Sequence, residues 1–293
     1  MKDAARLATY FIAIVILAAL LAPLLFWSAQ LLAAHGIFSS LARYDFDTFF
    51  DRAVLVAAVV LLWPLLCLSN IRRLNDLGIV PNPRWIRDLW AGVLLSTIPL
   101  IISGYLFIQF HVYSFRHVLM WPRIGKIIVA AICVPLIEET FFRGIVLGLL
   151  LRTGRKFLPI IAVSSLFAVV HFLKGPDRVA TIVTWSSGFQ SIAHAFAGLG
   201  EPKTILFAFA TLFMIGCILA DARFLTNSLW LPIGLHAGWI FASGTFSLLA
   251  RRYAVALPWI GKNLLVGIVP LCLGAITWIV MRLWLKHDRA SQV

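Results

Sequence analysis

Two adjacent glutamates, Glu138 and Glu139, and an arginine, Arg143, lie deep in an otherwise apolar run, ICVPLIEETFFRGIVLGLLL, while the other ten of the twelve acidic residues fall in loops or at run ends. A charged side chain at the centre of a membrane-spanning helix costs about 2.5–3.5 kcal/mol on the insertion scale, so groups kept there face a cavity or a partner and mark function. Neighbouring helical residues are about 100° apart around the axis, whereas residues four apart lie one above the other. Glu139 is therefore expected to pair with Arg143. That leaves Glu138 without a local countercharge, directed toward another part of the bundle and available for proton transfer. Pro135, three residues earlier, is expected to free or start the helix just before Glu138 and to place the carboxylate near a positive helix N-terminus.

Two histidines also sit in apolar runs, His171 in SSLFAVVHFLK and His236 in SLWLPIGLHAGWIF. Phe167 lies four residues before His171, on its face, and can wall one side of the imidazole from lipid. A carboxylate and two imidazoles on three separate helices form a set that can hold a water, take its proton and stabilise an oxyanion. Glu138 is eleven residues from the start of its run and His236 twelve from the end of its own, which puts both near one membrane depth. His171, two residues from the end of the run 158–173, comes out about 10 Å shallower at 1.5 Å per residue. Its helix is expected to extend past Lys174, to tilt, or to sit sunken in the bundle.

The order and spacing, Glu138-Glu139-x-x-x-Arg143, then Phe167-x-x-x-His171, then His236 in a Leu-Pro-x-Gly-x-His-Ala setting, resembles the three motifs of the CPBP or Abi family of CAAX-prenyl and bacteriocin-processing intramembrane proteases. The likeness covers roughly residues 127–248. It implies a glutamate-dependent intramembrane endopeptidase that needs no cofactor. By the same resemblance Glu138 is the general base for the attacking water, His171 helps to position or activate that water, and His236 supplies an oxyanion-hole donor. Glu139 and Arg143 hold the glutamate helix in place. The implied substrate sits in the membrane, either with a lipid-anchored CAAX-type C-terminus or as a small leader-bearing peptide, and the implied location is a bacterial inner membrane. One position departs from the pattern. The family commonly has Asn four residues after the last histidine, and Ile240 stands there. Either the indole N–H of Trp239 or the hydroxyl of Ser243 substitutes as a donor, or the loss lowers the rate by about 10²–10³.

The elements that must hold these residues are spanning helices. Of the 293 residues 61% are hydrophobic and 13% charged, with a mean hydropathy of +0.96; soluble domains carry about 45–50% and about 25%. The apolar residues fall in runs near 7–34, 53–69, 89–110, 127–151, 158–173, 203–220, 228–248 and 262–285. The expected fold is all-α, a polytopic transmembrane helical bundle of about eight spans. It divides into N-terminal helices with a basic connecting loop (1–126), a catalytic helical core (127–248), and a C-terminal helix with a basic tail (249–293). The clearest polar break is 70–88, and the less apolar stretch 179–198 reads as an amphipathic surface helix or a re-entrant piece. Lys and Arg cluster at run ends, so the net charge of +13 points to anionic lipid headgroups as partners and not to nucleic acid. Cys67, Cys133, Cys217 and Cys272 sit in different apolar runs without CxxC spacing, which suggests neither a disulfide framework nor a thiolate metal site.

Three rival readings use the same residues. A zinc-dependent intramembrane metalloprotease would take two His and one Glu as ligands, although HExxH is absent. A proton-coupled transporter would also carry intramembrane Glu, Arg and His, although inverted repeats are not evident here. A non-enzymatic scaffold that binds a partner's transmembrane segment is the third, and the Ile240 departure keeps it open.

Overall fold

Lipid offers no water to peptide groups, so a spanning chain satisfies its backbone internally as helix. In the computed structural model the described residues are those outside 1, 80–81, 118–120, 172–181, 198–201, 254–256, 262–263, 265 and 291–293. They form α1 (Lys2–Ala34), α2 (Phe46–Leu68), α3 (Trp85–Gln109), α4 (Pro122–Glu139), α5 (Leu147–Leu151), α6 (Phe157–Val170), α7 (Ser187–Ala197), α8 (Pro202–Thr226), α9 (Trp230–Leu249) and α10 (Ile268–Ala290). A π-helical segment, Thr140–Val146, joins α4 directly to α5. Two short strands, β1 (Tyr113–Phe115) and β2 (Ala250–Arg252), pair antiparallel with Tyr113 opposite Arg252.

The protein is an all-α membrane protein. Among the described residues five helices are long and apolar enough to cross a bilayer, namely α1, α2, α3, α8 and the Ile268–Asp288 part of α10. The sequence led to an expectation of about eight, and the difference has a physical origin. Run 127–151 is divided among α4, the π segment and α5 and carries Glu138, Glu139 and Arg143. Run 158–173 yields only the 14-residue α6. Helix α9 is diluted by Pro232, Gly234, His236, Gly238, Ser243 and Gly244. A second expectation also changes. Helix α4 begins at Pro122 and continues through Pro135, so Glu138 lies near the C-terminal end of that helix and not beside a positive N-terminus.

The described chain forms two compact units, one of residues 1–72 and 170–200, the other of 73–169 and 201–293. In the first, buried alanines Ala18, Ala19 and Ala22 of α1 and Ala53 and Ala57 of α2 let the helices pack closely. The Tyr10 hydroxyl donates to the Ala58 carbonyl at 2.9 Å. Helix α7, from the 179–198 stretch, is only 11 residues long, about half of what a span needs. It buries Ser187, Gly188 and Ser191 and exposes Phe189 and Gln190. The Ser191 hydroxyl donates to Asp47 at 2.6 Å, and Gly188 backs so closely on Ala19 that a Cβ there would lie 2.0 Å from its carbonyl oxygen.

In the second unit α3 and α9 make the most extensive pairing. Three glycines explain it: a Cβ on Gly92 would meet the Leu231 carbonyl at 2.6 Å, one on Gly234 the Leu89 carbonyl at 2.0 Å, and one on Gly238 the Ser96 Oγ at 2.0 Å. Small residues of this kind are how membrane helices approach when lipid is as apolar as the side chains. Gly234 and Gly238 each lie two residues from His236, hence about 200° around the helix from it. The contact with α3 therefore fixes the opposite face of α9 and turns His236 toward α4. Elsewhere in the unit, buried Asp221 of α8 accepts from Trp278 Nε1 at 2.8 Å and from Arg282 Nε and Nη2 at 2.8 and 3.0 Å, which fastens α10. The strand pair covers one end of the unit, where Tyr113 packs with Phe107, Phe246, Ile260 and Leu264. Burial pushes the Tyr113 hydroxyl above its ordinary pKa, and the charge of Arg252 acts the other way.

Replacing a helical glycine by alanine ordinarily stabilises by about 0.5–1 kcal/mol. At Gly234 and Gly238 the sign should reverse, because the added methyl would force two backbones apart, with an expected loss of about 1–3 kcal/mol each. Thermal unfolding of the detergent-purified variants measures this, with Gly125→Ala, where nothing lies within 4 Å of the added methyl, expected to show no loss.

Candidate active site

Four helical segments of the second unit bring the charged residues together. Glu138 and Glu139 end α4, Arg143 lies in the π segment, Phe167 is on α6, and His236 is on α9. Glu139 and Arg143 are completely buried, and Arg143 Nη1 donates to Glu139 Oε1 at 2.8 Å. This is the pair that the four-residue spacing anticipates. A buried cation needs more than one partner, because desolvating it costs several kcal/mol. The guanidinium accordingly stacks over the Phe167 ring, 4.4 Å from its centroid, and Nη2 donates to the Gly216 carbonyl at 3.5 Å. Gly216 keeps that approach open: a Cβ on it would press within 2.9 Å of Ser164.

The contact that sequence reasoning missed is between α4 and α9. His236 Nδ1 lies 2.8 Å from Glu139 Oε1, the same oxygen that Arg143 engages. Its other nitrogen, Nε2, lies 4.0 Å from Glu138 Oε2. Adjacent glutamates were expected to point to separate places, yet both reach one imidazole. The ring nitrogens diverge, and two flexible glutamate side chains close the angle between neighbouring positions. Phe167 stands edge-on to the same ring, with centroids 6.1 Å apart and planes at 80°. One phenylalanine thus backs the guanidinium with its face and lines the imidazole.

The two carboxylates differ in access. The Glu139 side chain has no exposed surface, whereas Glu138 is 27% exposed beside a His236 that is 9% exposed. Glu138 therefore sits at the open side of the cluster and Glu139 at its sealed side. The shared depth expected for Glu138 and His236 agrees with their 4.0 Å approach.

The remaining sequence candidates lie as follows. His171 comes directly after the last residue of α6, Val170, is exposed, and falls in the first compact unit. Lys174, past which its helix was expected to run, lies outside the described residues. The Ser243 hydroxyl donates back along its own helix to the Trp239 carbonyl at 2.6 Å. Trp239 lines a small, mostly apolar cavity of about 20 Å³ with Leu100, Met214, Ile215, Leu264 and Leu273. Ile240 is half-buried. Among the described residues no group of three or more His, Cys, Asp or Glu side chains is placed to hold a metal ion.

Residues 119–242 match the family model described as type II CAAX prenyl endopeptidase, Rce1-like. This segment belongs to the CPBP family of CAAX-type proteases. The matched stretch contains all three motifs, from Glu138 to His236, and excludes α1, α2, α3, the end of α9 and α10. No curated protein matches the chain. The CPBP assignment agrees with the resemblance carried by the motif spacing and with a lipid environment for the charged cluster.

Removing one partner of a buried ion pair strands the other charge at a penalty of about 3–5 kcal/mol. Arg143→Met should show a loss of that size, and Arg143→Lys should recover only part of it, since an ammonium lacks the planar fork that stacks on Phe167 while reaching Glu139 and Gly216. In a double-mutant cycle, Glu139→Gln combined with Arg143→Met should be less destabilised than the sum of the single variants. Thermal unfolding in detergent reads all three comparisons.

Proposed function

We propose that this protein is an intramembrane endopeptidase in which Glu138 activates a water molecule against a peptide bond of a membrane-associated substrate. The observation that carries the reading is the pairing of a partly open carboxylate, Glu138, with a histidine nitrogen 4.0 Å away in a membrane protein whose matched segment is CAAX-protease-like. Amide hydrolysis needs water, a base and a site for the oxyanion, and the surrounding lipid supplies none of them. In the proposed sequence Glu138 takes a proton from water as its oxygen bonds to the scissile carbonyl carbon. The carbonyl π electrons move to oxygen, and the protonated Glu138 then gives its proton to the departing amine as the C–N bond breaks. His236 faces the oxyanion, and His171 is assigned the water from its place in the motif. Glu139, Arg143 and Phe167 keep the helix ends in position.

Donor capacity at the oxyanion distinguishes this chain from the family pattern. Ile240 offers no N–H, and the Ser243 proton is engaged by the Trp239 carbonyl. The reading thus rests on one protein donor, His236, with a correspondingly modest rate. The substrate is proposed to be either a prenylated CAAX-type C-terminus or a leader-bearing peptide. Zinc hydrolysis with the same Glu and His residues remains the second reading, because catalytic zinc sites use this donor chemistry.

The test is cleavage by the purified protein of a panel of prenylated and unmodified membrane peptides, with and without chelator. Glu138→Gln is expected to lower kcat about 10²–10⁴-fold without lowering the thermal midpoint, and His171→Ala and His236→Ala to lower kcat as well. Activity that survives all three substitutions rejects the site, and activity abolished by chelator and restored by zinc transfers it to the metal reading. Partner binding that persists in Glu138→Gln, with no cleavage by the wild type, indicates a scaffold. Ile240→Asn, which restores a side-chain donor, is expected to raise kcat by up to about 10²-fold.

A further inference from the structure

The Glu139 carboxylate does more than neutralise Arg143. Its Oε1 lies 2.8 Å from Arg143 Nη1 and 2.8 Å from His236 Nδ1. A guanidinium has only donors, and this one is fully enclosed, so it needs a carboxylate anion opposite it. An ionised carboxylate only accepts. The hydrogen in the Glu139–His236 contact must then belong to the imidazole, on Nδ1. In a neutral ring that leaves the lone pair on Nε2, the nitrogen turned toward Glu138 at 4.0 Å. A histidine without such a partner can carry its proton on either nitrogen, and the hydrogen bond made by one nitrogen decides the state of the other. Its aromatic neighbour Phe167 stands T-shaped to the ring and has no polar atom that competes for Nδ1.

We infer that Glu139 is a positioning residue that fixes His236 in the Nδ1–H tautomer and so delivers Nε2 as the group that meets the reacting atoms. The inference deepens the proposed hydrolysis and rests on it for its catalytic meaning, though the tautomer itself does not. It also changes the part that His236 plays. A neutral His236 presents an acceptor at Nε2, and it becomes an oxyanion donor only when Nε2 gains a proton, with Nδ1–H still held by Glu139. His236 thereby shares the one proton released from water: Glu138 passes it to Nε2 while the oxyanion stands and takes it back for the departing amine. Arg143 acts one step further back: by holding Glu139 as an anion it keeps the acceptor in place.

Nitrogen NMR of the full-length protein in nanodiscs, labelled with 15N-histidine, tests this directly. Signals of His236 are assigned by their loss in His236→Asn, and ring correlations to the carbon-bound hydrogens separate a protonated nitrogen from a bare one. The expected wild-type neutral ring has a protonated Nδ1 and a bare Nε2. Glu139→Gln, whose amide oxygen can still accept, should keep that pattern, while Glu139→Leu should release it into a mixture or into the Nε2–H form. Cleavage should follow the same order, with kcat lowered by up to about 10⁴-fold for Glu139→Leu, less for Glu139→Gln, and KM changed little in both. A bare Nδ1 in the wild type overturns the inference, as does an undiminished Nδ1–H signal in folded Glu139→Leu. Should Glu139→Leu not fold, the wild-type and Glu139→Gln spectra decide alone. The two failures are separable: a protonated Nδ1 with no cleavage of any peptide would sink the protease reading and leave the tautomer standing, while Glu138-dependent cleavage with a bare Nδ1 would do the reverse.

Discussion

A buried cation surrounded by lipid-embedded helices has no solvent to stabilise it, and the second unit is arranged around meeting that demand for Arg143. The guanidinium draws on a carboxylate from α4, a ring face from α6 and a carbonyl from α8. Each contact fixes the position of one helix relative to the π segment. Since the same carboxylate oxygen also holds His236, α9 is tied to the same point. The interaction that satisfies the charge is therefore also the one that sets the spacing of the candidate site. An apolar substitute for the pair could fill the volume, but it could not orient an imidazole.

Two different kinds of contact locate α9. On one face the backbone-to-backbone approach at Gly92, Gly234 and Gly238 leaves no room for a side chain. On the other, His236 makes a directional hydrogen bond to Glu139 of α4. Close packing without polarity fixes distance, and the hydrogen bond fixes rotation. Phe167 contributes to both, since its ring has the Arg143 guanidinium over its face and His236 edge-on beside it.

Much of this was legible in the chain because charge is rare in apolar runs. Glu138, Glu139, Arg143 and His236 stand out by type alone, and four-residue spacing sufficed to pair Glu139 with Arg143. What the spacing could not convey is that two neighbouring glutamates would reach the same ring, since helical periodicity gives the direction of a Cβ and not the end of a flexible side chain. Pro135 misled for a related reason: proline is read as a helix boundary, but inside a membrane neighbouring helices and local adjustments satisfy the backbone groups it leaves open, and α4 continues through it. Five described helices, against about eight apolar runs in the sequence, are long and apolar enough to span, because polar residues and breaks interrupt the runs that hold α4, α6 and α9. Gly216 carries no chemistry in its side chain, so its carbonyl contact with Arg143 had no signal in the sequence.

The π segment, Thr140–Val146, has a consequence for how this helix tolerates change in length. A widened turn amounts to an extra residue accommodated within a continuous helix. Deleting one residue there would let the segment tighten to ordinary α geometry while the side chains on either side kept nearly their present directions, so the buried Leu147 and Leu149 would stay in phase with the glutamates. A residue removed from the regular turns of α4 has no such slack, and every side chain after it would swing by about 100° relative to those before. The π segment is thus where this helix can lose a residue with least disturbance, provided the loss spares Arg143, whose buried charge pairs with Glu139.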